Sequence, residues 1–249
     1  MAIEVLGTPV RRLIVRYGCR TSLLKVPLPK DQSEAIVSAF REKWPDLVEG
    51  ETKVQHEDAL INIVKRYYVG VGQVDVSSLI VKKDALNAVL LRIVTGEPVD
   101  SGAVSDPWAR DLSQKAMAAF LAAQSALTPG YRYYRAGKIF EIELAPIAKE
   151  ELPRVMELLV GRSAKVQDLE VAFTKIEDGP KGRVMNLRHS FKLAVSPEGF
   201  YSLNINLDVN NRQMSDHLDP QVLLQIWQWA DNRVPDCLEE NSIWPEATE

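Results

Sequence analysis

Histidines, cysteines and clustered arginines are the side chains here with the most chemistry to offer, and their spacing limits what they can do. His217 stands between Asp216 and Asp219, an arrangement that could supply half of a metal site. No second ligand cluster sits at a recognised spacing, and capping of the helix that follows already accounts for Asp219. His189 falls on the apolar phase of an alternating segment, so it reads as a core histidine satisfied by a hydrogen bond in preference to a catalytic base. His56 lies in a His-Glu-Asp run with no partner motif. Cys19 and Cys237 are far apart in sequence and read as two thiols of an intracellular protein, not as a disulfide. Gly70-x-Gly72 is too short for a phosphate loop, and Gly179-Pro-Lys-Gly182 lacks the Ser/Thr and helix such a loop needs. No serine elbow or Cys–His pair is recognisable. The sequence therefore predicts no cofactor and no metal, and favours a binding role over catalysis. An enzyme using His189 or His217 in a pocket is the remaining catalytic alternative.

Two groups of residues suit binding. Arg132, Tyr134 and Arg135 lie in Tyr131-Arg-Tyr-Tyr-Arg-Ala-Gly-Lys138, and Arg11, Arg12, Arg16 and Arg20 lie along an earlier strand. Aromatics interleaved with cations are how single-stranded nucleic acid is gripped. Against that use, Glu141, Glu143 and Glu170 fall at polar positions of neighbouring strands, where they can pair with the arginines. The second group is the polar face of a hairpin: Asn186, Arg188, Ser190 and Lys192 on one arm, and Asn204, Asn206, Asp208 and Asn210 on the other. For both apolar sets to share one face, paired positions must have an even sum, which puts Arg188 opposite Asp208 or Asn206. The plain alternative is a solvated face with one cross-strand ion pair. Arg188, Lys192, Asn204, Asn206 and Asp208, with Arg132, Tyr134 and Arg135, are the candidate partner-binding residues.

The elements that must hold these residues follow from periodicity. Met185, Leu187, Phe191, Leu193 and Val195 alternate, a Ser-Pro-Glu-Gly turn intervenes, and Tyr201, Leu203, Ile205, Leu207 and Val209 alternate again. That is the hairpin. Strands are also expected over 11–28, with a bend near Thr21–Ser22, over 131–144, and over 169–173, with one or two more between 46 and 82. Helices are expected over 31–44, from Lys83 to Thr95 through Leu86, Val89, Leu90 and Ile93, and over 106–127. Two more are expected over 149–160 and over 219–234, where Asp219–Pro220 opens the helix and Pro235 ends it. Trp227 and Trp229 cannot share one narrow stripe, so one is expected either exposed as a contact anchor or buried in a wider interface.

The 249 residues are 46% hydrophobic and 26% charged, ordinary for a globular protein, and the net charge of −4 argues against nucleic-acid binding through bulk charge. No apolar run approaches a membrane span and no signal segment opens the chain, so a cytoplasmic protein without membrane attachment is expected. The elements predict an α+β fold of mainly antiparallel sheets with helices packed on one face. They divide the chain into an N-terminal half (1–96), a linker and connecting helix (97–130), and a C-terminal half with a closing helix (131–249). Both halves read as βαβββα-like units.

The run from Trp108 to Leu144 with Tyr133-x-Arg135-x-Gly137, and Leu203-Asn-Ile-Asn-Leu-Asp-Val-Asn210 before a long amphipathic helix, carry a likeness over about half the chain. They resemble a sporadically distributed family of uncharacterised prokaryotic proteins of this length. The resemblance implies an α+β fold and assigns no catalytic residue. The reading is thus an interaction protein for another macromolecule, a protein partner or a second copy of itself. Single-stranded nucleic acid is the alternative.

Overall fold

The computed structural model describes residues 4–21, 30–43, 52–53, 59–68, 73–82, 85–94, 118, 132–160, 169–213 and 218–239. In chain order these form β1 (Glu4–Val5), β2 (Thr8–Thr21), α1 (Lys30–Lys43), β3 (Thr52–Lys53), β4 (Ala59–Tyr68), β5 (Gln73–Lys82) and β6 (Ala85–Val94). There follow β7 (Tyr133–Leu144), α2 (Leu152–Val160), β8 (Leu169–Asp178), β9 (Val184–Val195), β10 (Tyr201–Asn211) and α3 (Pro220–Glu239). The strands make one sheet in the order β3-β4-β5-β6-β2-β7-β10-β9-β8, with β1 paired on β2, and every pairing is antiparallel. The fold is α+β.

The β9–β10 hairpin forms as its alternation demands, in the even register that sets Arg188 opposite Asp208. A loop closes it: Ser196 N donates to Phe200 O (2.7 Å), Gly199 N donates to Ser196 O (3.0 Å), and Gly199 takes a φ of 84°, which suits only a residue without Cβ. One face of β2, β7, β10 and β9 carries the core, with Leu13, Val15, Tyr17, Phe140, Ile142, Leu187, Phe191, Ile205 and Leu207 all buried. The described helices join the same core: Ile36 from α1, Leu152, Val155 and Met156 from α2, and Val222, Leu223, Ile226, Trp227, Ala230 and Val234 from α3. Each buried Val, Leu, Ile or Met among them contributes about 1.5–3 kcal/mol on burial. Asp219 caps α3 as its position predicts, accepting from Gln221 N at 2.7 Å.

Two expectations are corrected. Ala85–Val94 is strand β6, not a helix. Its Leu86, Ala88 and Leu90 sit in register with Cys19, Tyr17 and Val15, and pairing to both β2 and β5 satisfies its backbone. A short apolar run fits either period, and the neighbouring strands decide. Helix α3 passes through Pro235 and ends at Glu239, with Leu238 buried, so packing of the last turn outweighs the lost donor. Of the two alternatives for the tryptophans, burial holds: Trp227 is buried with Nε1 donating to Gly137 O at 3.0 Å, and Trp229 packs against the core half-buried. The segment 97–130 lies outside the described residues apart from Ala118, which is helical.

Candidate functional site

On the face of the sheet opposite the helices, the register lines up side chains in rows from β2 to β8. Arg12, Glu143, Asn204, Lys192 and Glu170 form one row. Ile14, Glu141, Asn206, Ser190 and Ala172 form the next, then Arg16, Ile139, Asp208, Arg188 and Thr174. The five hairpin candidates therefore share one surface: Arg188, Lys192 and Asn206 are exposed, and Asn204 and Asp208 are half-buried. Arg188 and Asp208 are cross-strand neighbours, but the expected ion pair between them is not made. Asp208 Oδ1 instead accepts from Asn210 Nδ2 at 2.9 Å. Among the described residues neither Arg188 nor Lys192 forms an ion pair.

The arginines of β2 behave otherwise. Arg12 Nε lies 2.9 Å from Glu143 and Arg16 Nη2 lies 2.9 Å from Glu141, as the alternation of charge predicts. Arg135 Nη2 donates to Asn210 Oδ1 at 2.5 Å, and Asn186 Nδ2 donates to the same oxygen at 3.4 Å, so Asn210 links Arg135 to Asp208. Gly137 makes this possible. A Cβ there would meet Val209 O at 2.9 Å and Asn210 Cβ at 3.0 Å, so only glycine lets Asn210 lie against the sheet. The register shifts between Arg20↔Arg135 and Thr21↔Tyr133, a bulge that leaves Tyr134 half-buried, while Tyr133 is buried in the core. Arg132 stands exposed just before β7. Tyr133 and Tyr134 thus do not form an exposed ladder beside the arginines.

His189 is fully buried on the core face, stacked on Phe173 with ring centroids 4.7 Å apart and facing Phe191 at 6.3 Å. The expectation of a hydrogen-bonded core histidine is half met: it is core, but neither ring nitrogen has a hydrogen-bond partner. Burial, helped by the positive charges of Lys175 and Arg233 and opposed by Glu177, lowers its pKa to about 4. The imidazole is neutral at pH 7 and unsuited to general-base work at the surface.

Sequence reasoning missed a buried ion pair. Lys138 of β7 is wholly buried against Asp231 of α3, and Tyr17 Oη donates to Asp231 Oδ1 at 3.2 Å. Lys138 Nζ also lies 4.2 Å from the Tyr17 ring centroid and 4.5 Å from that of Phe140, a cation–π arrangement in a desolvated site. Tyr17 meets Trp227 edge to face at 5.9 Å. The signal was present. Lys138 falls in phase with Phe140, Ile142 and Leu144, and Asp231 sits one turn past Trp227, so two opposite charges occupy inward positions. The pair ties the closing helix to the sheet.

Among the described residues no three His, Cys, Asp or Glu side chains gather as metal ligands. The Asp216–His217 candidate and His56 lie outside the described residues. Cys19 is buried as a thiol. No helix among the described residues is long and apolar enough to cross a membrane. No protein-family model matches the chain, and no curated protein matches it.

Proposed function

We propose that this chain is a non-enzymatic interaction protein whose polar sheet face binds a protein partner. One observation carries the reading: Arg188 and Lys192 are exposed, without an ion pair among the described residues, on a face that no described helix covers. Around them stand Asn204, Asn206 and Asp208, a mixed donor and acceptor surface of the kind that pairs with another protein's backbone and side chains. A nucleic-acid reading is less favoured. Glu141 and Glu143 neutralise Arg16 and Arg12 on the same face, and Tyr133 is withdrawn into the core.

The test is capture by the immobilised chain against a Arg188→Glu/Lys192→Glu variant of unchanged fold. A partner retained by the parent and lost by the variant supports the reading; equal retention by both overturns it. Light scattering distinguishes a second copy of the chain from a different partner. A salt-dependent shift of single-stranded oligonucleotide, weakened by Arg132→Ala or Arg135→Ala, would favour the alternative.

The chain also reads as two βαβββ units side by side, with α3 following the second, the helix expected to close the first being strand β6. Supporting this, the strand order outward from the central β2–β7 pair is β6, β5, β4 on one side and β10, β9, β8 on the other. In chain order β2, α1, β4, β5 and β6 then correspond to β7, α2, β8, β9 and β10. A crystal structure in which the two sets superpose by a single two-fold rotation would support duplication; sets that do not superpose would remove it.

A further inference from the structure

The sheet ends at β8, and the hydrogen bonds beside it show which way its backbone faces. Gly179 N donates to Arg183 O at 2.7 Å, continuing the register of β8 on β9, so the odd-numbered residues of β8 exchange their hydrogen bonds with β9. The N–H and C=O groups of Glu170, Ala172, Thr174 and Ile176 therefore point outward from the edge, and they bond to no described residue. Sheet edges are commonly blunted by brevity, proline or a bulge. Strand β8 has ten residues, no proline and an unbroken register. Its side chains do not close it either: Ile176 is 54% exposed on the open face, and Leu169, Val171 and Phe173 on the core face are only half-buried. We infer that β8 is a dimer edge, pairing antiparallel with β8 of a second copy about a two-fold axis at Phe173.

The strand's own sequence selects the second copy and the register. Outward-pointing groups meet, and core and open faces stay aligned, only where paired positions have an even sum. About Phe173, Ala172 lies opposite Thr174 of the second copy and Glu170 opposite Ile176, on the open face. On the core face Val171 lies opposite Lys175, Leu169 opposite Glu177, and Phe173 meets its own counterpart. No like charges face one another, Glu177 is already held by Arg233, and the phenylalanines form a cross-strand aromatic pair. A shift of one register step toward the C-terminus sets Glu170 opposite Asp178, like charges, at both ends of the pairing. A shift the other way carries Ile176 beyond the end of the facing strand. The pairing is isologous, so each copy supplies the same edge to the other. It also keeps the two open faces on one side, which places Arg188 and Lys192 of both copies on a continuous surface.

The inference goes beyond the open-face reading and does not depend on it. Light scattering of the full chain across a concentration series is expected to reach twice the 27.9 kDa of one chain. Ala172 and Thr174 are exposed, so charges are introduced there without touching the core. Ala172→Lys/Thr174→Lys and Ala172→Glu/Thr174→Glu each set like charges opposite one another, and each is expected to weaken the dimer at least about tenfold. An equimolar mixture of the two variants sets opposite charges together and is expected to restore it. Hydrogen exchange of the parent needs no variant: the outward amides of Ala172, Thr174 and Ile176 are expected to exchange at least about tenfold more slowly at dimer-forming concentration than after dilution. A parent that stays monomeric would overturn the inference and leave the edge to a different strand. A dimer indifferent to both variants, a mixture that stays monomeric, or amide exchange that does not respond to concentration would overturn it equally.

Discussion

A neutral imidazole pressed between aromatic rings has a measurable consequence in acid. The unfolded chain protonates His189 near 6.5, whereas the folded chain resists until about 4. Its folded pKa is depressed, so the stability it supports is fully present above 6.5, falls as pH drops through the window to about 4, and is level below it. The loss is at most about 3 kcal/mol, and denaturant titrations across that window should show it in the parent and not in His189→Phe. A slope identical in both proteins would contradict the assignment. At Lys138 and Asp231 the expectation is different in kind. Asp231→Ala strands a buried charge and should cost about 3–5 kcal/mol in urea unfolding, while Lys138→Met/Asp231→Leu should recover most of it. Single-variant losses under about 1 kcal/mol would mean that the ion pair does not hold the helix.

Among the elements, the hairpin and the two flanking strands were legible because one face of each is buried or, in β8, half-buried, and a strict period of two survives only under that constraint. Helix α3 was legible at its start, where Asp219 and Pro220 act locally, and misread at its end, where the burial of Leu238 overrides Pro235. Strand β6 was illegible for a related reason: in Ala85–Val94 the helical and extended periods coexist, and only the partner strands choose. The candidate residues on the hairpin could be placed on one face from sequence alone. Their link to Arg135 could not, because it depends on β7 lying beside β10, a pairing between segments about seventy residues apart. Removing the cap with Asp219→Ala should cost about 1 kcal/mol by thermal unfolding. Gly137→Ala should cost about 1–3 kcal/mol by the same measurement, since the added methyl meets Val209 O and Asn210.

For the whole molecule, the division of labour between the two sheet faces is the central claim. One face of β2, β7, β10, β9 and β8 is spent on the core and its helices, with a buried ion pair fixing the last of them; the other is polar and charged, and is the surface proposed to meet a partner. Site-specific photo-crosslinking tests it most directly, with the reactive group placed at Asn206, exposed in the middle of the open face, or at Glu157, exposed on α2. A partner adduct from position 206 and none from position 157 is the predicted result. An adduct from 157 with none from 206 would place the partner on the helical side and contradict the account.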